Sequence, residues 1–183
     1  MKTLLFIYIL GIHCRADVIS HTPSSFCDSE GNMAFMLSKS SERYVLFINP
    51  EQQKTWKNNF LSHLKDSDYI AGVLVLKKKI WAVSIRGSLL RISLDGNVEE
   101  QWEKLLPENV VIMFDVGADK LAVVVMVWDQ VQNKFIKKIA IVTMHPDLKV
   151  SDIFQSYGNA LPFCQDKMLF VLIENTITKV YPK

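Results

Sequence analysis

The sequence is poor in the residues that mark fibrous, low-complexity or disordered chains. It contains seven Gly and six Pro in 183 residues, which excludes a collagen-like or low-complexity chain. Hydrophobic residues make up 49% and charged residues 22%, and this balance excludes a disordered chain. Length and composition therefore predict a globular protein of one domain, or two small domains at most.

The short motifs that mark common active sites are also missing. There is no G-x-S-x-G, H-E-x-x-H, P-loop, C-x-x-C or EF-hand pattern. Ser62–Lys65 fits S-x-x-K without the companion motifs, and His63 near Asp66 and Asp68 is the one cluster left for acid–base chemistry. Such carboxylates need desolvation before they do that work. We therefore expect no catalysis, and the alternative is a secreted enzyme that uses this cluster.

The first 16 residues have the layout of a secretory signal peptide. Lys2 precedes an apolar run of ten residues, Thr3–Ile12, and small residues stand at Cys14 and Ala16. Ten apolar residues are too few to cross a bilayer, which needs about 20. No later segment of the sequence reads as a membrane span. The sequence therefore predicts cleavage after Ala16 and a secreted, extracellular protein.

The mature chain has no excess of charge of either sign. Residues 1–16 carry Lys2 and Arg15 and no acid, so their removal lowers the Lys and Arg total from 21 to 19, equal to the 19 Asp and Glu. The run Lys77–Lys79 is expected to be a turn between strands. A neutral chain without a basic stripe is a poor partner for nucleic acid or an anionic membrane, and we expect it to bind neither.

Cysteine and histidine are sparse. Cys14 leaves with the leader, and the remaining Cys27 and Cys164 are expected to form a disulfide in an oxidising compartment. This bridge closes a loop of roughly 137 residues and is worth about 4–5 kcal/mol of stability. Four histidines, one of them in the leader, show no metal-ligand or haem-ligand spacing. We therefore expect no metal and no cofactor.

Short apolar segments recur in sets of three along the chain. Phe26, Val73, Phe114 and Phe163 mark the first segment of each set and lie 47, 41 and 49 residues apart. Second and third segments rich in β-branched and aromatic residues follow each of them after short turns. The predicted strands, set by set, are Ser24–Cys27, Met33–Leu37 and Arg43–Ile48; Ala71–Leu76, Ile80–Ile85 and Leu89–Leu94; Val110–Phe114, Leu121–Trp128 and Phe135–Val142; Ala160–Cys164, Met168–Ile173 and Thr176–Tyr181. This period predicts an all-β chain with short helices, a four-repeat β-propeller with blades of 41–49 residues.

A short helix is predicted at the end of each of the first three sets. Asn49 and Pro50 have the residue types of a helix start, and an apolar stripe with a spacing of four residues follows them. The members of that stripe are Trp56, Phe60 and Leu64. Asn97 precedes a second amphipathic stretch and Asp147 precedes a third. We expect these aromatic residues to pack at blade edges.

The last set stops early, 20 residues beyond Phe163. Because a closed propeller must satisfy every strand edge, we expect Asp17–Ser25 to supply its missing strand, with the predicted disulfide closing the ring. The predicted organisation is a signal peptide over 1–16 and a single domain over 17–183. Its blades cover about 24–66, 69–106, 109–157, and 159–183 with 17–23. The alternative is an open half-ring, or a piece of a larger propeller, that needs another chain.

Four segments share the pattern of a known repeat: Trp102–Phe114, Tyr69–Val73, Ile80–Val83 and Ser88–Ile92. They resemble the repeats of hemopexin-like domains, which are secreted four-bladed propellers. Trp102–Phe114 is similar to the repeat junction in which a Trp and a Leu-Pro precede an Ile-Asp-Ala-Ala-Phe strand, and Tyr69–Val73 fits the same strand. Ile80–Val83 and Ser88–Ile92 stand where that repeat has its aromatic and Arg-containing strands. The resemblance covers about residues 20–183. It implies a short helix closing each blade and a disulfide between the first and last blades.

The chain departs from this repeat at positions that concern ligands. Ile70 and Val111 stand in place of the repeat's Asp, and the Phe-Phe-Lys-Gly centre of the aromatic strand is absent. The resemblance therefore does not carry over a channel ion site or a haem site, and no cofactor is expected from it.

The signal-like leader, the repeated sets of strands and the lack of active-site motifs together predict a monomeric, secreted, non-catalytic binding protein. We expect it to recognise an extracellular protein through propeller loops. The loops expected to carry this contact are Lys39–Arg43, Asp129–Lys134 and Asp147–Ser151. The alternative is a carrier of a small molecule, a lipophilic ligand or haem, on a propeller or on a closed eight-stranded barrel of lipocalin type. The sequence assigns no individual partner-binding residue.

Overall fold

The computed structural model describes residues 18–20, 28–39, 42–65, 67–107, 109–131, 133–144, 147–156, 161–173 and 176–181. Fifteen strands occupy these ranges, together with a single 3-10 turn at Leu61–His63. The strands are β1 (Val18–Ser20), β2 (Met33–Lys39), β3 (Glu42–Asn49), β4 (Lys54–Asn58), β5 (Ile70–Leu76), β6 (Lys79–Ser84), β7 (Leu89–Ile92), β8 (Val98–Trp102), β9 (Val110–Asp115), β10 (Lys120–Asp129), β11 (Lys134–Thr143), β12 (Lys149–Ser156), β13 (Leu161–Gln165), β14 (Met168–Ile173) and β15 (Thr176–Tyr181).

The strands form four antiparallel sheets in which chain order and spatial order are the same. The first sheet contains β1 to β4, the second β5 to β8, the third β9 to β12 and the fourth β13 to β15. The prediction of an all-β chain is confirmed. Among the described residues these sheets are separate from one another, so the continuous eight-stranded barrel considered above is wrong.

The predicted strands agree with the observed ones to within two residues at each end. The exception is Ser24–Cys27, which lies outside the described residues and is therefore not tested. Tight turns explain the good agreement. Lys77 and Lys78 both have positive φ, 51° and 59°, which is the backbone conformation of a two-residue hairpin turn. The expected turn at the lysine run is therefore present.

The three predicted helices are wrong, because the segments concerned form the fourth strand of each of the first three sheets. Trp56 lies in β4, and the sequence after Asn97 forms β8. The sequence after Asp147 forms β12. A third strand without a partner leaves a row of unpaired backbone groups. Pairing with that edge outweighs the weak helical preference of these short segments.

The start of the chain also differs from expectation. We expected Asp17–Ser25 to complete the last blade, but its described part, Val18–Ser20, pairs antiparallel with β2 in the first sheet. The fourth sheet has three strands within the described residues. Ring closure through this segment is therefore not what the structure shows.

Apolar side chains between neighbouring sheets form three clusters. The largest lies between the second and third sheets and includes Leu74, Trp81, Leu121 and Val123. A second lies between the first and second sheets, around Phe47 and Ile80. A third, smaller cluster lies between the third and fourth sheets. Burial of each large side chain stabilises the fold by about 1.5–3 kcal/mol, so face-to-face packing of consecutive sheets holds the chain together.

Candidate functional site

The long hairpin of the third sheet extends beyond its neighbours. β10 and β11 pair over ten residues each, from Lys120 opposite Thr143 to Asp129 opposite Lys134. β9 follows β10 only as far as Val125, and β12 follows β11 only from Lys137. Within the described residues, which leave out 132 and 157–160, the segment 127–136 pairs only across the hairpin, and we call it the hairpin tip.

The hairpin tip exposes three large apolar side chains. Trp128 is 47% exposed, Phe135 is 55% exposed and Val131 is 95% exposed. Trp128 and Phe135 are direct cross-strand partners, and their rings meet edge to face with centroids 4.9 Å apart and planes at 75°. Aromatic pairs of this geometry are favourable beyond their buried area. The two rings therefore support each other while remaining in contact with solvent.

The turn that carries Val131 is fixed by local hydrogen bonding. The carboxylate Oδ1 of Asp129 accepts the backbone N–H of Val131 at 2.9 Å, as in an Asx turn. Asn133 has a φ of 51°, a conformation that Asn tolerates better than most residues. Gln132 lies outside the described residues. The turn thus holds an apolar side chain at the outermost point of the hairpin.

One face of the hairpin runs from the core to the tip, with the pair Met126 and Lys137 between its buried and its exposed residues. Ala122 and Val124 on β10, with Ile139 on β11, belong to the cluster that packs toward the fourth sheet. Side chains two residues apart on a strand share a face. By this alternation Trp128 and Phe135 continue that buried face outward. Anchoring in the core positions the two exposed rings.

Charge near the hairpin tip is predominantly positive. Lys134, Lys137 and Lys138 stand on β11 close to the turn, and Asp129 is the one acid between residues 126 and 138. Lys134 is exposed. An apolar end flanked by cations is complementary to an apolar pocket with an acidic rim.

Of the three loops expected to contact a partner, Asp129–Lys134 is the one in which a described large apolar side chain, that of Val131, is exposed. Lys39–Arg43 contains two residues outside the described ranges, and Asp147–Ser151 has an exposed Asp147. Asp129–Lys134 and Asp147–Ser151 lie at opposite ends of the third sheet, because they join consecutive pairs of antiparallel strands. The sequence predicted Asp129–Lys134 as one of three contact loops. It placed Trp128 and Phe135 in the flanking strands and gave no indication that their side chains are exposed.

The expected acid–base cluster is only partly described. His63 is exposed at the end of the 3-10 turn, where its carbonyl accepts the side-chain N–H of Gln101 at 2.8 Å. Asp68 is 4% exposed, and its Oδ1 accepts the backbone N–H groups of Tyr69 at 2.9 Å and Arg86 at 3.2 Å. Asp66 lies outside the described residues. The Asp68 carboxylate thus fastens the turn after β6 to the start of β5.

The predicted disulfide cysteines and the possible metal ligands form no further site among the described residues. Cys164 lies in β13 opposite Leu169, whereas Cys27 is outside the described residues, so the disulfide stays a prediction. In the part of the chain that is described, no three His, Cys, Asp or Glu side chains cluster as metal ligands. In the same ranges no helix is long and apolar enough to span a membrane.

A second feature is a set of ion pairs around the lysine turn. Lys77 pairs with Asp119 of the third sheet, and Lys78 pairs with Glu30 at 2.7 Å. The hydrogen bond to Glu30 raises the pKa of Lys78 above its ordinary value. Lys79 pairs with Glu99. The three lysines thus connect β6 to charged groups on three different elements.

Comparison with known proteins adds to the fold only. No family model matches the sequence, and no curated protein matches it. Among solved structures, the chain is similar to a protein of unknown function from Bacteroides caccae, with a TM-score of 0.53 and 11% identity. The match covers 92% of this chain and 62% of the other. At this identity the likeness shows a shared fold, and this chain spans about three fifths of its neighbour's length.

Proposed function

We propose that this chain is a secreted, non-catalytic binding protein of four-bladed propeller architecture, and that it recognises an extracellular protein with its hairpin tip. The observation that carries the proposal is the exposure of Trp128, Val131 and Phe135 together at the end of one hairpin. Scattered exposed apolar residues are ordinary on protein surfaces. A group of them with two aromatic rings is typical of an interaction site.

The blade arrangement is supported by the order of the sheets. Consecutive antiparallel sheets of three or four strands, packed one on the next, are the building units of a propeller. The signal-like residues 1–16 support secretion. We expect the protein to be a monomer, and its mass in solution distinguishes this from a half-ring that needs another chain.

The partner's surface follows from the chemistry of the tip. We expect an apolar pocket that takes the rings of Trp128 and Phe135, with carboxylates placed to meet Lys134 and its neighbours. Tryptophan and other aromatic anchors carry much of the binding free energy in such contacts, at about 2 kcal/mol or more each when truncated. Loss of both rings should therefore weaken binding by roughly 100-fold or more.

The test compares two double variants of the immobilised protein in extracellular fluid. The tip variant is Trp128→Ser with Phe135→Ser. The matched control is Leu61→Ser with Val111→Ser, which removes side chains of similar exposure, 49% and 43%, from other surfaces. The proposal predicts a protein captured by the wild type and the control but not by the tip variant. Direct titration with that purified protein should then reproduce the loss.

Two results count against the proposal. If every captured protein is retained equally by the tip variant, the hairpin tip is not the binding surface. If the wild type instead co-sediments with phosphatidylcholine–phosphatidylserine vesicles and the tip variant does not, the tip recognises a lipid surface and the protein-partner proposal fails.

A further inference from the structure

The outer edge of the fourth sheet differs from that of the other three sheets. In the first three sheets a fourth strand covers the third, because β4, β8 and β12 pair antiparallel with β3, β7 and β11. In the fourth sheet β15 is the outer strand within the described residues. Ile177, Thr178 and Lys179 of this strand are exposed. An edge strand presents a row of backbone N–H and C=O groups that can pair with another chain.

β15 and β7 are both the third strand of their sheets, and they carry matching side chains. Lys179 of β15 lies opposite Phe170 of β14. Arg91 of β7 lies opposite Trp81 of β6. Each of the two strands thus places a cation opposite an aromatic residue of the preceding strand. The second sheet therefore shows what a fourth strand contributes next to such a cation.

In the second sheet, β8 contacts both the cation of β7 and the aliphatic residue that precedes it. Glu100 lies opposite Arg91 and forms an ion pair with it. Trp102 lies opposite Leu89. Leu89 is fully buried, in the apolar cluster shared with the third sheet. The part of β8 that makes these contacts therefore has the pattern of an acid, any residue and an aromatic residue.

The corresponding pair of side chains on β15 is open to solvent. Ile177 stands two residues before its cation, as Leu89 does, and residues two apart share a face of the strand. Ile177 is 61% exposed. Lys179 is exposed, and none of the ion pairs within the described residues involves it. The outer strands β4, β8 and β12 each carry two charged residues, which oppose further pairing at an edge, whereas β15 carries one.

We propose that β15 is a strand-addition site for an extended segment of another protein, with the pattern of an acid, any residue and an aromatic residue. The segment runs antiparallel to β15, as β8 runs to β7, so that its acid meets Lys179 and its aromatic ring covers Ile177. Backbone hydrogen bonds supply affinity in this mode of recognition, and alternate side chains supply specificity. Charge complementarity at Lys179 favours an acidic segment. The site is separate from the hairpin tip, which contains no residue of β15.

The test titrates the purified protein with an acetylated and amidated peptide that has the sequence of residues 97–103, Asn-Val-Glu-Glu-Gln-Trp-Glu. A second peptide carries the change Glu100→Lys. Binding is followed by the anisotropy of the labelled peptide and by backbone amide shifts in ¹⁵N–¹H spectra. We expect saturable shifts of the β15 amides. The first peptide should bind roughly 2- to 30-fold more tightly than the second, because a cross-strand pair of opposite charges is exchanged for a pair of like charges.

Two variants then assign the charged contact. Lys179→Glu should reverse the preference, so that the peptide with Glu100→Lys binds more tightly than the unchanged peptide. Lys57→Glu is the matched control, because Lys57 is an exposed lysine on β4, the outer strand of the first sheet. This control should keep the preference of the wild type. Both positions are exposed, so both variants are expected to fold.

Four results would overturn the inference. The first is no saturable shift of the β15 amides at millimolar peptide, and the second is a set of shifts confined to β7, which would mean that the peptide replaces β8. The third is an unchanged preference in Lys179→Glu. The fourth is a dimer that Lys179→Glu dissociates in sedimentation, which would assign the edge to a second copy of this chain. A protein lacking both rings of the hairpin tip should bind the peptide normally, so failure here is distinguishable from failure of the partner proposal.

Discussion

Among the glycines in the described ranges, Gly87 is the position where a single methyl group should cost most. It follows β6 in the turn toward β7 and has a φ of +83°. A Cβ built there would lie 2.1 Å from the carbonyl oxygen of Leu106 and 2.7 Å from its carbonyl carbon. The two residues are already joined, since the N–H of Leu106 donates to the Gly87 carbonyl at 3.0 Å. Gly87→Ala must therefore push two backbone segments apart.

The stability lost in Gly87→Ala has a backbone part and a steric part, and comparison with a matched variant, Gly31→Ala, separates them. Gly31 has a φ of +76°, and among the described residues a Cβ there meets the Glu51 side chain alone, at 3.8 Å. Gly31→Ala should therefore cost only the left-handed backbone conformation, about 1–2 kcal/mol. Gly87→Ala has the same cost and adds steric strain of about 1–3 kcal/mol. It also disturbs Leu106, which is 4% exposed in the core. We expect a total of about 3–5 kcal/mol.

Urea unfolding of both variants and the wild type, followed by tryptophan fluorescence and far-ultraviolet circular dichroism, measures this difference. The free energy of unfolding should fall at least about 1 kcal/mol further for Gly87→Ala than for Gly31→Ala, a margin set by the added strain. Equal losses for the two variants would show that the turn after β6 does not pack against Leu106 as described.

Three other predictions concern the sheet contacts, the ion pairs and the leader. Trp56→Phe should destabilise the protein by about 1–2 kcal/mol, because the indole N–H donates at 3.0 Å to a carbonyl of the second sheet, and urea unfolding measures the loss. The hydrogen bond from Lys79 lowers the pKa of Glu99 below its ordinary value of 4.5, so its contribution to stability is present at neutral pH and is lost as the pH falls through the lowered pKa. Thermal unfolding should therefore place Glu99→Gln below the wild type at pH 7, with the difference shrinking as the pH falls below 4.5 and Glu99 takes up its proton. Intact mass should fit residues 17–183 less two protons, with Cys27 linked to Cys164 in the peptide map.

Each of these has an outcome that contradicts it. Unchanged stability of Trp56→Phe would mean that the indole hydrogen bond does not hold the first two sheets together. A difference in stability between Glu99→Gln and the wild type that does not shrink as the pH falls below 4.5 would point to packing and not to charge. Two free thiols or an uncleaved leader would contradict both the disulfide and the secretion proposal.

The strands could be predicted from the sequence because their signals are local. Alternating or continuous β-branched runs bounded by polar turns, such as those around Lys77 and Lys78, locate a hairpin without knowledge of its neighbours. The fourth strands could not be found in the same way. Val98–Trp102 carries residues that also suit a helix, and the deciding factor is the exposed edge of β7, which belongs to another segment.

The hairpin tip could be predicted only in part. The turn at Asp129–Lys134 is visible as a break between two apolar runs. Exposure of Trp128 and Phe135 depends on how far β9 accompanies β10, and that is a property of register between strands.

The most direct test of the proposed function is photocrosslinking from the hairpin tip in extracellular fluid. p-Benzoylphenylalanine replaces Val131, which is 95% exposed, and in a control protein it replaces Leu61, which is 49% exposed. We predict one discrete adduct from position 131, lost when Trp128 and Phe135 are changed to Ser, and no such adduct from position 61. An adduct that forms equally from both positions, or that persists without the two rings, would contradict recognition of a partner by the hairpin tip.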